Sequence, residues 1–263
     1  MDSSRVEPTG ILGTREADRQ AECSKHGPFT SRNVFRSVWT KCQACEDEAK
    51  AAEVAEEERK RQERRAEAHR ELLKSSAVPT RFIGRDFAGF HAPTQAHQHA
   101  LSVCRDYAES FDDHASAGRG LILAGKPGTG KSHLVGAVLQ HLLPRRDVRY
   151  TTCMDMIRAV RETWRRDSDR TESQVLGMLQ RLDLLAIDEI GMQYGTEGEQ
   201  TILFDVLDRR YREVKPTIIL TNQDQKGLRE FVGERTYDRL VETCRWVAFD
   251  WPSYRPQARK EVA

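Results

Sequence analysis

Residues 125–132 read GKPGTGKS and match the phosphate-binding pattern G-x-x-x-x-G-K-[ST] at every fixed position. An apolar run, LILA, comes directly before them, and the sequence that follows predicts a helix. Glycines let successive backbone N–H groups of such a loop face a phosphate, and the helix N-terminus adds its positive dipole end. The pattern therefore predicts a nucleoside-triphosphate site, in which Lys131 reaches the β and γ phosphates and Ser132 binds Mg²⁺.

The expected nucleotide contacts are the loop residues and the first residues of the helix: Gly125, Pro127, Gly128, Thr129, Gly130, Lys131, Ser132 and His133. As a lone histidine, His133 has no partner pattern of its own, so a structural role is its alternative. The same structural role is expected for other lone histidines: His91, His97 and His99.

A second apolar run, residues 184–187, ends in two carboxylates, Asp188 and Glu189. On a strand of the same sheet, Asp188 can share the Mg²⁺ with Ser132, while Glu189 orients or deprotonates the attacking water. This pair favours a hydrolase over a small-molecule kinase or a GTPase, and the sequence contains no NKxD guanine-binding pattern. The predicted reaction is therefore ATP hydrolysis, with Lys131, Asp188 and Glu189 as catalytic residues.

Two later segments carry polar groups that could complete such a site. Asn222 follows the apolar run TIILT and is predicted to contact the lytic water or the γ-phosphate; a residue that merely ends the strand is the alternative. Arg235 and Arg239 are four residues apart and share one face of a helix. An arginine here can stabilise charge on a phosphoryl group bound by a neighbouring subunit, and a solvated surface arginine is the alternative.

Near the N-terminus, the pairs Cys23-x-x-His26 and Cys42-x-x-Cys45 are separated by 15 residues. This spacing predicts a closed, tetrahedral Cys₃His zinc site with a structural role, and chance pairing of cysteines is the alternative. A unit of about two dozen residues buries too little apolar surface to fold alone, so a bound metal would replace a core. The remaining cysteines lie in apolar periodic segments and are predicted to be buried thiols: Cys104, Cys153 and Cys244.

Changes in composition along the chain predict five segments: a disordered tail at 1–20, the zinc-binding unit at 21–46, a charged helical linker at 47–77, an ATPase domain at 78–256 and a C-terminal tail at 257–263. The linker contains almost only helix formers, with opposite charges at helical spacing such as Glu56 and Lys60, and it lacks a sustained apolar heptad. It is expected to be a semi-rigid spacer that rises about 1.5 Å per residue.

From residue 78 onward, apolar strands alternate with helices, which predicts an α/β fold with a central parallel sheet and helices on both faces. Strands are expected at 120–125, 148–152, 184–189, 217–222 and 246–251. The principal helices are expected at about 94–112, after Lys131, at 154–166 and at about 198–213. In the helix at 154–166, the predicted packing stripe is Ile157, Val160 and Trp164.

The region 145–170 carries eight arginines against five acidic residues. Three of the arginines form a stripe beside the packing stripe of helix 154–166: Arg158, Arg161 and Arg165. Such a stripe suits phosphates spaced along a single DNA strand, although a basic face is also often just solvated.

Taken in order, the phosphate loop, the strand LLAIDE, the strand ending in Thr221-Asn222 and the segment GERTYDRL resemble an AAA+ P-loop ATPase. More narrowly, residues 78–255 resemble the DnaC-type helicase loaders and the related IstB-like transposition helpers. The cues at family level are VPTRF at 78–82, FAGF at 87–90 and WPSYR at 251–255.

The resemblance implies phosphate and Mg²⁺ contacts at Lys131 and Ser132, metal and water contacts at Asp188 and Glu189, a sensor at Asn222 and an arginine finger at Arg239. Arg235 is a further candidate at the same subunit interface. The resemblance also implies that region 145–170 lines a path for single-stranded DNA. Since the chain stops soon after Arg255, no separate lid domain is expected.

The composition is compatible with a globular protein that has a real core, since 38% of the residues are hydrophobic and 32% are charged. A net charge of +1 neither requires nor excludes a nucleic-acid partner. No long apolar run and no signal-peptide pattern are present, so a cytoplasmic location away from membranes is expected. In that compartment, six cysteines indicate metal or core roles rather than disulfides.

Three functions are compatible with the sequence. The leading hypothesis is an ATP-dependent loader that forms a homo-oligomer, binds a DnaB-like hexameric replicative helicase and places it on single-stranded DNA. The second is an IstB-like ATPase that assists a transposase on duplex DNA, although the zinc-binding unit and long linker count against it. The third is a DNA-binding scaffold that uses ATP as an assembly switch, against which the intact Glu189 argues.

The zinc-binding unit could grip the helicase or bind DNA. Its aromatic and basic residues suit either role: Phe29, Phe35, Trp39, Arg32, Arg36 and Lys41.

Overall fold

The computed structural model describes residues 17–35, 38–191 and 196–254. The chain divides into two compact units, Met1–Glu67 and Ala68–Ala263. Several predicted features lie outside the described residues: residues 1–16 of the tail at 1–20, Arg36, Arg255 and the C-terminal tail at 257–263. Among the helices of the described ranges, none combines the length and the apolar character that a membrane crossing requires.

The N-terminal part contains two small antiparallel sheets and the start of a long helix. Its elements are β1 (Arg19–Cys23), β2 (Gly27–Ser31), β3 (Asn33–Phe35), β4 (Val38–Trp39) and α1 (Gln43–Ser75). The helix begins four residues before the predicted linker, and ion pairs such as those of Arg59 with Glu56 and Glu63 follow its surface. Within the described part of the first unit, the buried residues are Ser31, Asn33 and Cys42.

The second unit contains the remaining elements: a 3₁₀ turn (Thr80–Phe82), α2 (Gln95–Glu109), α3 (Phe111–Ser116), β5 (Gly120–Gly125), α4 (Lys131–Leu142), β6 (Val148–Thr152), α5 (Cys153–Glu162), α6 (Glu172–Arg181), β7 (Leu184–Ile190), α7 (Glu197–Arg212), β8 (Thr217–Thr221), α8 (Gln225–Val232), α9 (Glu234–Thr243) and β9 (Cys244–Phe249).

Five parallel strands form the central sheet in the order β6-β7-β8-β5-β9. Successive strand residues face opposite sides, so Ile218 and Leu220 join the core beneath α2 and α4, while Ile219 joins the core beneath α5, α6 and α7. Both faces of the sheet are therefore covered by helices, and the predicted α/β architecture is confirmed. The carboxyl ends of β5, β7 and β8 meet at one edge, where such folds place their ligands.

The basic region differs from its prediction in two ways. Helix α5 ends at Glu162 instead of residue 166, and Trp164, which was assigned to the packing stripe, is 60% exposed. After Trp164 the sequence RRDSDR offers no apolar side chain to the core, and its Asp and Ser side chains compete for backbone hydrogen bonds. Helix α6 was not predicted, although Thr171 and Gln174 form a capping box at its start, a signal that the sequence contains.

Two further boundaries moved. The helix expected at 94–112 is divided at Ser110 into α2 and α3. The last strand occupies Cys244–Phe249 instead of 246–251, because Trp251 leaves the sheet and its indole Nε1–H donates to the Thr129 carbonyl at 3.0 Å.

Candidate nucleotide site and metal centre

The phosphate loop connects β5 to α4, and its backbone depends on two glycines. Gly128 and Gly130 have φ values of +79° and +96°, in the region that side chains disfavour. A Cβ atom at Gly130 would also lie 2.6 Å from Cε2 of Phe90. The loop is held from outside by the Trp251 bond to Thr129 and by the Tyr254 N–H, which donates to the Gly128 carbonyl at 2.9 Å. The loop conformation thus requires its glycines and is supported by residues after the last strand.

Lys131 lies at the first position of α4 and is buried, with a relative exposure of 7%. Its ammonium donates to the carbonyls of Gly125 (2.6 Å) and Lys126 (2.9 Å). It also donates to Oδ1 of Asn222 at 2.9 Å, which joins the phosphate loop to the end of β8. The two residues predicted to contact the γ-phosphate are therefore brought together.

Asp188 lies near the end of β7, and both of its carboxylate oxygens accept hydrogen bonds. Oδ2 accepts from Oγ of Ser132 at 2.9 Å and from the hydroxyl of Tyr150. Oδ1 accepts from the backbone N–H of Glu189 at 2.7 Å. Tyr150 belongs to β6 and lies outside every motif that the sequence displays. Burial, and then the charge of Asp188, raise the pKa of Tyr150 well above its usual value, so its hydroxyl stays a donor.

Glu189 is exposed and has a φ of +61°, which costs a residue with a side chain about 1–3 kcal/mol. The pairing of β7 with β8 shifts register between Ile187 and Ile190, so Glu189 lies in a β-bulge that turns its side chain out of the regular alternation. The turn beyond it is held from β8 and the residues after it. Thr221 Oγ1 donates to the Ile190 carbonyl at 2.7 Å, and Gln223 Nε2 donates to the Gly191 carbonyl at 3.1 Å.

These residues fit a magnesium nucleotide. A hydroxyl oxygen and a carboxylate oxygen 2.9 Å apart, from Ser132 and Asp188, are the hard ligands that Mg²⁺ takes from protein, with phosphates and water completing its shell. The glycine loop at the start of α4 supplies backbone N–H groups for phosphates. Pro127 of this loop is exposed, while His133 forms a 2.8 Å hydrogen bond with the Asp86 carbonyl and lies edge-on to Phe90.

The two candidate finger arginines of α9 differ in their surroundings. Arg239 forms an ion pair with Asp208 of its own chain, and its side chain is 20% exposed. It also lies over the rings of Tyr211 and Phe204, at 4.9 and 5.6 Å. Arg235 is exposed, with its guanidinium 5.2 Å from the Phe204 ring. Of the two, Arg235 is therefore the more accessible.

The three arginines predicted to bind DNA do not form one helical stripe, because α5 ends before Arg165. Each has an acidic neighbour: Arg158 with Asp155 at 3.4 Å, Arg161 with Glu199 at 3.7 Å and Arg165 with Asp167 at 3.2 Å. Arg158 and Arg165 are 66% and 70% exposed, so their pairs are weak surface interactions. The exposed Trp164 lies between them in sequence, and its Nε1–H donates to Glu172 at 2.6 Å.

The four predicted zinc ligands converge in the N-terminal unit. One ligand atom from each of Cys23, His26, Cys42 and Cys45 lies within 4.8 Å of the others. The sulfurs of Cys23 and Cys45 are 3.4 Å apart, and Nδ1 of His26 lies 3.3–3.8 Å from the three sulfurs. Tetrahedral zinc with ordinary bond lengths requires edges of about 3.6–3.8 Å, so this set of donors fits that metal.

The surroundings of the cluster support metal binding. Glu48 Oε1 lies 3.0 Å from Nε2 of His26, a contact that leaves Nδ1 as the ligand atom and that sequence spacing did not reveal. Backbone N–H groups of Lys25 and His26 lower the pKa of Cys23 to about 6, which favours the thiolate that metals bind. The hydrogen bond between the Cys23 and Cys45 sulfurs raises the pKa of Cys45 to about 11.

Comparison with known proteins identifies the family of the chain. The family model described as "IstB-like ATP binding protein" matches residues 43–262. The chain is 38% identical over 171 residues to the replicative helicase loader DnaC of Escherichia coli K12, covering 64% of this chain and 68% of the relative. It is 33% identical over 186 residues to the replicative helicase loader DnaC of Buchnera aphidicola subsp. Baizongia pistaciae, covering 70% of this chain and 74% of the relative.

Among solved structures, a crystal structure of the DnaC helicase loader aligns with a TM-score of 0.58 and 21% identity, covering 65% of this chain and 99% of that one. AMPPCP-bound DnaA from Aquifex aeolicus aligns with a TM-score of 0.55 and 22% identity, covering 68% and 54%. At these identities the alignments concern the fold, and they confirm the AAA+ P-loop architecture predicted from the sequence.

Proposed function

This chain belongs to the IstB-like ATP-binding protein family of AAA+ ATPases, and we propose that it is a helicase loader. In this proposal, it binds a DnaB-like hexameric replicative helicase in the cytoplasm and uses ATP hydrolysis to place that helicase on single-stranded DNA. The observation that carries the proposal is the 38% identity over 171 residues to a replicative helicase loader. The ATP site described above lies within the ATPase unit that such a loader requires.

The site residues have distinct roles in this proposal. ATP binds together with Mg²⁺, and hydrolysis of one of its phosphoanhydride bonds gives ADP and phosphate. Lys131 stabilises negative charge on the phosphates, and Ser132 and Asp188 hold the metal. Glu189, exposed on its bulge, accepts a proton from the attacking water at a carboxylate oxygen. Asn222, bonded to Lys131 at 2.9 Å, orients the same water or the γ-phosphate.

We place an arginine of α9 at the nucleotide of a neighbouring copy in a homo-oligomer. Arg239 would first have to leave its ion pair with Asp208, whereas Arg235 is already exposed. Because of this difference in burial, Arg235 makes the first contact during assembly and Arg239 then acts as the finger.

For single-stranded DNA, Arg158 and Arg165 offer charges for phosphates, and the 60% exposed Trp164 offers a ring on which a base can stack. Arg161 is the poorest candidate of the predicted set because it faces Glu199, whose side chain is 6% exposed.

A sharp test replaces Arg158 and Arg165 by Glu and Trp164 by Ala but leaves Arg161 in place. We expect weaker binding to a poly(dT) oligonucleotide and a shallower dependence of the binding constant on salt concentration. The logarithmic slope should fall by about 0.7 for each arginine that no longer neutralises a phosphate. Unchanged binding would remove this surface from the proposal.

The Cys₃His unit is proposed to bind zinc and to hold the helicase. Within it, Trp39 is half-buried and has Arg19 over its ring at 4.2 Å, while Arg32 and Lys41 are exposed. These residues also suit DNA, so a DNA-binding role for the unit is the alternative outcome of the same experiments.

Loading can be measured directly. The full-length protein is mixed with the replicative helicase of the same cell, ATP and a closed circle of single-stranded DNA, and the helicase retained on the circle is quantified. We expect retention to require both the protein and hydrolysable ATP. Glu189→Gln should still bind ATP and the helicase but lose turnover and loading, whereas Glu213→Gln, an exposed carboxylate elsewhere, should behave like the wild type. Equal retention without the protein would contradict the proposal.

A transposition helper is the second candidate, because the matching family is described as IstB-like. Such a protein would assemble on duplex DNA and recruit a transposase. Substituting a duplex circle in the same assay distinguishes the two, because a loader requires a single strand and a transposition helper requires a duplex. A scaffold that uses ATP only as a switch would show no turnover on either DNA.

A further inference from the structure

Tyr150 contacts the metal-holding carboxylate although it belongs to none of the motifs of the nucleotide site. It lies on β6, where Thr152 is in register with Asp188 of β7. Its hydroxyl donates to Oδ2 of Asp188, the same oxygen that accepts from Ser132 at 2.9 Å. We propose that Tyr150 is a positioning residue for Mg²⁺: it fixes the orientation in which Asp188 meets the metal, without touching nucleotide or metal itself.

The ring of Tyr150 is held rigidly, so its hydroxyl can fix the position of the Asp188 carboxylate. It is 7% exposed and belongs to the core between the sheet and α4, so its hydroxyl is presented with little remaining rotational freedom. Its backbone N–H donates to the Ser76 carbonyl at 2.8 Å. Ser76 is fully buried, and its hydroxyl donates to the Leu73 carbonyl at 2.7 Å. The segment after α1 therefore covers the edge strand β6 at the residue whose side chain contacts Asp188.

Three donors determine the orientation of the Asp188 carboxylate: the Glu189 N–H, the Ser132 hydroxyl and the Tyr150 hydroxyl. Ser132 is itself a predicted metal ligand, so its bond to Asp188 must rearrange when Mg²⁺ is shared between them. Tyr150 and the Glu189 N–H are then the groups that keep the carboxylate in place. Removing an outer hydrogen-bond donor of this kind typically weakens metal affinity by about 10- to 100-fold.

The test uses Tyr150→Phe in the full-length protein, which removes the hydroxyl and keeps the ring in the core. Binding of a fluorescent ATP analogue is measured while Mg²⁺ is titrated, and again in EDTA. The matched control is Tyr107→Phe, because Tyr107 is 2% exposed in the same core and its hydroxyl donates to the Arg119 carbonyl at 2.9 Å. Thermal melting without nucleotide compares the stability of the two variants.

We expect the Mg²⁺ concentration at half-maximal binding to rise about tenfold in Tyr150→Phe, with affinity in EDTA within about twofold of the wild type. Tyr107→Phe should lower the melting temperature by about as much as Tyr150→Phe does, but it should leave the Mg²⁺ midpoint unchanged. A midpoint close to that of the wild type, an equal shift in Tyr107→Phe, or an equal loss in EDTA would each overturn the inference. The inference rests on the proposed ATP site but not on helicase loading: if the wild type itself shows no Mg²⁺-dependent nucleotide binding, the site assignment fails too.

Discussion

Arg210 of α7 carries a guanidinium that is fully buried between the sheet and the helices. It donates to the hydroxyl of Thr217 at 3.0 Å. It also donates, at 2.6–3.4 Å, to four main-chain carbonyls: those of Leu179, Gln180, Leu182 and Pro216. Burial lowers the pKa of Arg210 to about 10, so the side chain remains charged at neutral pH. Three of these carbonyls belong to the end of α6 or directly follow it, just before the strand that carries Asp188 and Glu189.

Replacing Arg210 by Leu should lower the free energy of unfolding by about 3 kcal/mol or more, because several buried carbonyls lose their donors at once. Chemical denaturation measures this change. The control is Arg212→Leu on the same helix, whose 61% exposed side chain pairs with Asp208 and should contribute less than about 1 kcal/mol. Similar losses for the two variants would contradict the role given to Arg210.

Replacing Glu48 should lower the affinity of the N-terminal unit for zinc without changing the stability of α1. Because its Oε1 holds the His26 ring at 3.0 Å, Glu48→Ala should weaken zinc binding by about tenfold. The measurement is competition with a chromophoric chelator. Glu46→Ala, in the first turn of the same helix, is the control and should retain wild-type affinity. Equal affinities for the two variants would show that Glu48 does not orient His26.

Residues whose function depends on their neighbours along the chain could be predicted from the sequence. Residues whose function depends on the register of paired strands could not. The glycine loop and the Asp188-Glu189 pair could be predicted because their chemistry depends on adjacent residues. Tyr150 reaches Asp188 only because β6 and β7 pair in one particular register, and spacing along the chain does not encode that register. Glu48 likewise meets His26 across 22 residues, through the packing of a hairpin on a helix end.

At the scale of elements, the bulge of β7 sets the direction of Glu189. Beyond it, Gly191 has a φ of +93°, and a Cβ atom there would lie 2.6 Å from Cγ of Gln223. An alanine must therefore strain the backbone and displace the side chain that holds the turn. The conformation of this short segment depends on β8 as much as on its own sequence.

Gly191→Ala should consequently reduce ATP turnover by at least about tenfold while nucleotide affinity stays close to that of the wild type. Steady-state hydrolysis and equilibrium binding of an ATP analogue measure the two quantities. Gly198→Ala is the control, because its new Cβ would meet its nearest neighbour, an Arg161 nitrogen, at 3.8 Å, an ordinary contact. A parallel fall in binding and turnover would indicate general damage instead of a misdirected Glu189.

Element types could be predicted from the spacing and runs of apolar residues, whereas the end of α5 depended on what lies beyond the helix. The strands were expected because most of them are near-continuous apolar runs, and both faces of the sheet bury such runs. Trp164 fits the helical period of α5, but the helix stops at Glu162 and the Trp164 side chain is 60% exposed. Periodicity alone cannot show where the underlying core ends.

The two units of the whole molecule are stabilised by different means. The ATPase unit has two large apolar cores, one on each face of its sheet. The described part of the N-terminal unit buries Ser31, Asn33 and Cys42, which is too little apolar surface to offset the entropy of folding its hairpins. A metal held by the Cys₃His cluster would supply that missing stability. Chelation should therefore unfold the hairpins of the N-terminal unit and leave the ATPase unit folded.

Incubating the full-length protein with a strong zinc chelator should expose β1 and β2 to protease, because the hairpins lose the bonds that close them. ATP-analogue affinity should stay within about twofold, since the ATP site lies in a unit with its own core. Limited proteolysis followed by mass spectrometry locates the cuts, and re-addition of Zn²⁺ should restore protection. Cys45→Ser, which removes one ligand, should resemble the chelated protein, whereas Cys153→Ser, a buried thiol of α5, should keep its N-terminal unit protected. Protection that survives chelation would mean that protein contacts alone fold these hairpins.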